Sequence, residues 1–278
     1  MQQPAAVSNN FRRILTAVVA APIVLGLAYQ GGLAFAALIA LIGGVGQTEF
    51  YRMARATGAD PNVTAGLVLG GLVVGGCVWP SVGPWAALCL ILFVVLAPFV
   101  LPQTHFLSSF AVTLAGVVYP TGLLGSLVLL REARSATVTD DTAFWFVVLT
   151  FLLVWATDIF AYYVGRAVGT RALAPSISPN KTWEGTLGGL GAAAVTAVAL
   201  KLAVLDLLPW SHLAVLVVIG GGLSQIGDLM ESQLKRSTGA DDSSDLLPGH
   251  GGVLDRFDAM AVAAPLIYLY LSHVVGLF

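Results

Sequence analysis

The residues of this chain that could do chemistry crowd into its last third. The stretch Ser224-Gln-Ile-Gly-Asp228-Leu-Met-Glu231-Ser232-Gln-Leu-Lys235-Arg236 closes an otherwise apolar run. At about 100° per residue, Ser224, Asp228, Glu231, Ser232 and Lys235 fall within about 60° of Asp228 on a helix. That face is polar and ionised, while Ile226, Leu229, Met230 and Leu234 make the opposite face apolar. A solvated face at a membrane boundary explains one or two charges. It explains poorly an Asp beside Gly227 near the end of an apolar run, because ionisable groups at membrane depth are costly and usually functional.

A second cluster is Leu247-Pro-Gly-His250-Gly-Gly252-Val-Leu-Asp255-Arg256-Phe-Asp258. Glycines around a His give a backbone that can approach a ligand closely and turn its amides toward an anion. Asp255 and Asp258 are three apart, so a helix puts them on one face; the plainer alternative is a flexible loop with one of them near a helix N-cap. Taken with Asp228, they predict three carboxylates converging from two helices. Hard divalent cations want such oxygen ligands and complete their shell with substrate phosphates.

The third cluster, Ser176-Ile-Ser178-Pro-Asn-Lys181-Thr182-Trp183-Glu184-Gly185, leads into an apolar run. Ser178 and Pro179 read as N-cap and first helical position. A helix N-terminus with a Lys and a Thr hydroxyl is a ready phosphate site. Trp183 suits a membrane-interface anchor better than a base-stacking partner. Upstream, Asp158 shares a helix face with Tyr162 and Gly165 and is read equally as a site residue or as an ion-pair partner. Glu49, at the end of another apolar run, is a weaker candidate of the same kind.

The elements that must position these residues are membrane helices. Of 278 residues, 57% are hydrophobic and 10% charged, against roughly 25% charged in soluble domains, and mean hydropathy is +0.87. Such a chain cannot cover a water-facing surface. With a net charge of −2 it presents no broad basic surface for nucleic acid. A bilayer core needs about 20 mostly apolar residues per helix. Nine runs qualify, near residues 13–30, 32–50, 63–80, 84–101, 107–130, 143–165, 186–205, 212–231 and 258–277. The fold expected is an all-α polytopic integral membrane protein, a single domain. Residues 1–140 supply generic transmembrane helices, and 141–278 the helices and loops that carry chemistry. Arg12 and Arg13 ahead of the first run suit an uncleaved first helix.

Two joins are long and polar, 166–185 and 232–257. With nine spans and a cytoplasmic N-terminus, ten of the 13 basic residues fall inside and only Arg131, Arg134 and Lys201 outside. The positive-inside rule favours that orientation, and it still holds, five against three, when the five basic residues of the candidate site are set aside. Both polar joins then face the cytoplasm, where nucleotides are. Cys77 and Cys89 lie in apolar stretches without CxxC or His partners, so they read as packing residues. The sequence contains no GxxxxGK[ST] loop, GxGxxG turn or GxSxG elbow.

Together these residues resemble the phosphatidate cytidylyltransferase family, also called CDP-diacylglycerol synthases. Its signature runs Ser-x-apolar-Lys-Arg, four residues, Lys-Asp, a short gap, Pro-x-His-Gly-Gly, then apolar-x-Asp-Arg-apolar-Asp. Here it reads Ser232-Gln-Leu-Lys235-Arg236, Asp241-Asp242, Pro248-Gly-His250-Gly-Gly252 and Val253-Leu-Asp255-Arg256-Phe-Asp258. Gly227-Asp228 and the stretch from Asp158 to Gly185 are also similar. Asp241 stands where the family usually has Lys, and Asn180 replaces a second basic residue before Lys181.

The resemblance implies that CTP and phosphatidate give CDP-diacylglycerol and pyrophosphate at the cytoplasmic face of the cell membrane, with Mg²⁺ and room for a second cation. Asp228 and Asp255 are then the expected metal ligands, with Asp258 as a ligand or supporting one. Lys181, Thr182, Ser232 and Arg236 are the expected phosphate contacts, joined at the substrate by Ser178, Glu184 and Asp158. Lys235 and Arg256 neutralise charge, and His250 polarises a phosphate oxygen or shapes its loop. A homodimer is compatible with this reading, though no residue selects it. A transporter would explain intramembrane acids but not a glycine-rich His loop with clustered bases. Another CDP-dependent lipid transferase is disfavoured because the Asp-Gly-x-x-Ala-Arg pattern of CDP-alcohol phosphotransferases is missing.

Overall fold

The computed structural model describes residues 18–247 and 251–278; Arg12, Arg13 and His250 lie outside them. Seven helices among the described residues are long and apolar enough to cross a membrane. They are α2 (Gly32–Arg55), α4 (Gly83–Val100), α5 (Phe106–Glu132), α6 (Asp140–Val168), α7 (Trp183–Ala203), α8 (Trp210–Thr238) and α9 (Leu254–Val274). Two shorter apolar helices, α1 (Val18–Gln30) and α3 (Val63–Val78), occupy the other two expected places. The ends of α3 follow from local chemistry. Asn62 caps its start by accepting from the Ala65 amide at 2.9 Å. Trp79 precedes Pro80, which disfavours helical geometry for the residue before it, and Trp79 is extended at φ −114°, ψ 102°.

The chain divides into two compact units: one holds the residues up to Val128 with Ser237–Phe257, the other Leu129–Arg236 with Asp258–Phe278. In the first, α2 and α5 are tied by a buried polar chain. Gln47 donates to Tyr51 Oη at 2.7 Å, Tyr51 donates to the Thr113 carbonyl at 2.7 Å, and Thr121 donates to Gln47 Oε1 at 2.8 Å. Interhelical hydrogen bonds of this kind hold membrane helices together where lipid gives no hydrophobic drive. Leu69, Phe93, Ala97, Leu101 and Val117 form an adjoining apolar core.

In the second unit α6 and α7 pack backbone to backbone. A Cβ at Gly185 would sit 2.7 Å from the Ala161 carbonyl oxygen, and one at Gly189 would sit 2.8 Å from that of Thr157. Only glycine permits that approach. Before α6, the buried Arg131 and the more exposed Arg134 both bind Asp140. Between α6 and α7 lies a small antiparallel hairpin, β1 (Ala172–Ala174) with β2 (Ser178–Thr182), pairing Ala172 with Thr182 and Ala174 with Ser178.

The hairpin corrects the expected start of α7. Ser178 and Pro179 are strand residues, and the N-cap is Thr182, whose hydroxyl accepts from the Gly185 amide at 3.1 Å. The physical reason is twofold. A two-stranded ribbon has only edges, where the missing N–H of Pro is tolerated. Thr182 in extended geometry, with Glu184 in the first turn, is a better start for a positively polarised helix end than Ser178.

Candidate active site

The polar face expected on α8 forms and points inward. Ser224, Gln225, Gly227 and Glu231 are buried, whereas Ile226 and Met230 are exposed. A helix in lipid inverts the soluble pattern: its apolar side meets the acyl chains and its polar side must find partners within the protein. Gln225 is one example, accepting from Thr186 of α7 at 2.8 Å and donating to the Gly221 carbonyl at 2.9 Å.

Gly227 explains the placing of its neighbour. A Cβ there would run into the carbonyl oxygen of Asp258 and the Cα of Ala259, so α8 and α9 touch main chain to main chain at this level. Asp228 and Asp258 are thereby brought into side-chain hydrogen-bond contact, with Glu231 within electrostatic reach of Asp258. Asp258 is only 4% exposed. Two carboxylates in such contact need a proton or a cation between them, since like charges at that separation cannot both stand uncompensated. Asp228 also meets Lys181 from β2 at 2.6 Å. Each of these two side chains keeps a little over a quarter of its surface open, 27% for Asp228 and 28% for Lys181. One turn further along α8, Lys235 donates to Glu231 at 3.1 Å, and Arg236 reaches the Ile177 carbonyl at 3.4 Å. A strand, two helices and a hairpin turn thus place Lys181, Asp228, Glu231, Lys235, Arg236 and Asp258 in one unit.

Of the three carboxylates expected to converge, the structure brings together Asp228 and Asp258. Asp255 serves its own loop: its Oδ2 accepts from Ser243 N at 3.0 Å, Ser243 Oγ at 2.9 Å and Gly252 N at 2.7 Å. Among the described residues no three His, Cys, Asp or Glu side chains gather into a metal cluster of their own. The Asp228–Asp258 pair still fits Mg²⁺, which is usually held by one or two carboxylates, water and substrate phosphates rather than by an all-protein cage.

The remaining expected residues are distributed as follows. Thr182 is engaged as the N-cap of α7, and Ser178 is half-buried in β2. Glu184 accepts from Thr170 N at 3.1 Å, Thr170 Oγ1 at 2.6 Å and Arg171 N at 3.2 Å, closing the base of the hairpin. Ser232 is half-buried on the polar face of α8, Arg256 is exposed near the start of α9, and Asp158 is exposed on α6. One residue carried less weight in the sequence than its surroundings warrant. Glu49 of α2, 2% exposed, accepts from both Ser243 and Ser244 hydroxyls and from the amides of Val253 at 3.0 Å and Leu254 at 2.7 Å. Its signal was an acid near the end of an apolar run; its partners, some 200 positions away, gave none.

The model of the family described as "Cytidylyltransferase family" matches residues 11–274. The chain belongs to the cytidylyltransferase family. The chain is 40% identical over 268 residues to the phosphatidate cytidylyltransferase of Brucella abortus, covering 95% of this chain and 93% of the relative. It is 32% identical to that of Bacillus subtilis, covering 94% and 97%, and 33% identical to that of Synechocystis, covering 93% and 95%. The similarity runs along nearly the whole chain, so the apolar N-terminal helices share it with the signature-bearing C-terminal third.

Proposed function

We propose that this protein moves the cytidylyl group of CTP onto the phosphate of phosphatidate, giving CDP-diacylglycerol and pyrophosphate. The observation that carries the reading is end-to-end similarity to proteins named phosphatidate cytidylyltransferase. The chemistry of the Asp228–Asp258–Lys181 group agrees with it. Joining two polyanions requires charge neutralisation at the reacting phosphates, and membrane helices around the group suit a substrate that never leaves the bilayer.

In this reaction a phosphatidate oxygen forms a bond to the α-phosphorus of CTP as the bond to the bridging oxygen breaks, and pyrophosphate departs. The lipid phosphate needs little activation, because a phosphomonoester with a second pKa of about 6 is mostly dianionic at neutral pH. The protein's tasks are alignment and charge compensation. Lys181, Lys235 and Arg236 meet phosphate oxygens, Ser232 donates a hydrogen bond from the same face, and Arg256 adds positive charge. Mg²⁺ held by Asp228 and Asp258 would supply Lewis-acid neutralisation when bound, with Asp255 keeping the adjoining loop in shape. No covalent cytidylyl-enzyme is needed, and label from pyrophosphate should not exchange into CTP without phosphatidate.

We further propose nine spans with a cytoplasmic N-terminus and the site facing the cytoplasm. A Cys replacing the exposed Asp245, in a background without Cys77 and Cys89, should resist an impermeant thiol reagent in intact cells; labelling there would reverse the orientation. The activity itself is tested with purified protein, CTP, phosphatidate and Mg²⁺. Pyrophosphate and CDP-diacylglycerol should appear in equal amounts. Release of CMP, or no turnover, would refute the proposal.

A further inference from the structure

The strongest unassigned feature is the carboxylate of Glu49. Helix α9 begins at Leu254, and the residues ahead of it, Gly252 and Val253, have no side chain able to accept from its free amides. Helix starts normally recruit Ser, Thr, Asp or Asn for that task. Here one half of the need is met locally, by Asp255 reaching back three residues to the Gly252 amide, as the third residue of a capping box does. The other half comes from α2: Glu49 Oε1 accepts from Val253 N and Oε2 from Leu254 N. Each oxygen also takes one serine hydroxyl, Oε1 that of Ser244 and Oε2 that of Ser243. The carboxylate is therefore saturated by four donors from both ends of the segment 243–254.

We propose that Glu49 is a positioning residue for the transfer reaction: it fixes the N-terminal end of α9, the helix that bears Asp258 a turn later, and the loop that leads into it. An anion at a helix N-terminus is favoured by the macrodipole, and charge-assisted hydrogen bonds are roughly twice as strong as neutral ones. The described part of this loop is held as well by Asp255, which accepts from Ser243 and Gly252. Its isolated bridge, Leu247 with Gly251, depends on Gly251 adopting φ +79°, and a Cβ on Gly252 would lie 2.8 Å from the Glu49 carboxyl. Placed this way, Glu49 acts on catalysis without meeting substrate. This inference rests on the proposed transferase activity.

The experiment compares wild type with Glu49→Gln, Glu49→Ala and Ser244→Ala, all purified in detergent and assayed with CTP, phosphatidate and Mg²⁺. Glutamine keeps the shape but turns one oxygen into a donor facing a backbone N–H, so one amide loses its partner. The expected order of kcat is wild type, Ser244→Ala, Glu49→Gln, Glu49→Ala. The last should fall about a hundredfold, as small misplacements at a reacting centre do, and glutamine should recover part of the loss. KM for each substrate should move much less than kcat, and amide hydrogen exchange should quicken at 243–254 while α3 and α4 stay as in wild type. Unchanged kcat in both Glu49→Gln and Ser244→Ala would overturn the role. So would a loss of activity in all variants that tracks general loss of folded protein, without selective loosening of 243–254. A wild type that turns over no CTP would instead defeat the activity on which the role depends.

Discussion

Residues 169–185 and residues 239–253 are both polar connections between apolar helices, and they keep their shape by different means. The first is a hairpin that pairs its own backbone, Ala172 with Thr182 and Ala174 with Ser178. Its exits are closed locally, by Trp183 N donating to the Arg171 carbonyl at 2.9 Å and by Glu184 binding Thr170 and Arg171. The second, in its described part, has one isolated bridge, and its hydrogen bonds run instead to two carboxylates, Asp255 at its end and Glu49 some 200 residues upstream. A backbone ladder survives the loss of any one side chain, because its donors and acceptors are main-chain groups that the substitution leaves in place. A loop gathered on a carboxylate does not: removing the acceptor strands several donors at once, each at a cost of about 1–3 kcal/mol if it stays buried. Function should therefore be more sensitive to single acids at the second connection than at the first.

The largest expected effect lies where the hairpin delivers its Lys. Asp228→Asn removes the ionic partner of Lys181 and half of the Asp228–Asp258 pair. Turnover should fall at least about a hundredfold, the usual loss when a group that stabilises transition-state charge is neutralised. Initial rates of pyrophosphate release measure it, and near-wild-type rates would remove Asp228 from the reacting centre.

A sharper trial of the contrast is Glu184→Gln. The amide keeps one acceptor for Thr170 and leaves the β1–β2 pairing intact, so turnover should drop less than about tenfold, an effect below about 1.4 kcal/mol. It should also stay above that of Glu49→Gln under the same conditions. Should Glu184→Gln be the more damaging, the two connections do not differ as described.

The smallest effect is expected at Asp241, an exposed residue of the second connection. Asp241→Lys removes an acid next to Asp242 and near Asp245 and restores the basic residue that the resembling signature carries. KM for CTP should stay level or fall, with kcat within about twofold, as suits an exposed charge acting mainly on approach. Complete inactivation would mean that the loop is organised around that acid.

Much of this architecture is legible in local sequence. The apolar runs mark the helices because about 20 apolar residues are what a bilayer core demands, and both ends of α3 follow from Asn62 and from Pro80. The face around Asp228 is legible for the same reason: helical periodicity decides which side chains share a side before any partner is known. Asp228 also stands out in sequence, as an acid beside a glycine inside an apolar run.

What only the tertiary structure decided is who meets whom. Thr182, not Ser178, starts α7, because a ribbon competed with the helix for residues 178–182. Asp258 joins Asp228 because Gly227 lets α8 and α9 touch, whereas Asp255, three residues before Asp258, turns to Ser243 and Gly252. Periodicity places both acids on one helix face but cannot say which donors claim each. Glu49 is the extreme case: its sequence neighbours describe an ordinary helix end, and its four donors come from residues 243–254. Hydrogen bonds are short-ranged and directional, so the partners of a buried carboxylate are set by where the chain returns, which pattern along the chain does not encode.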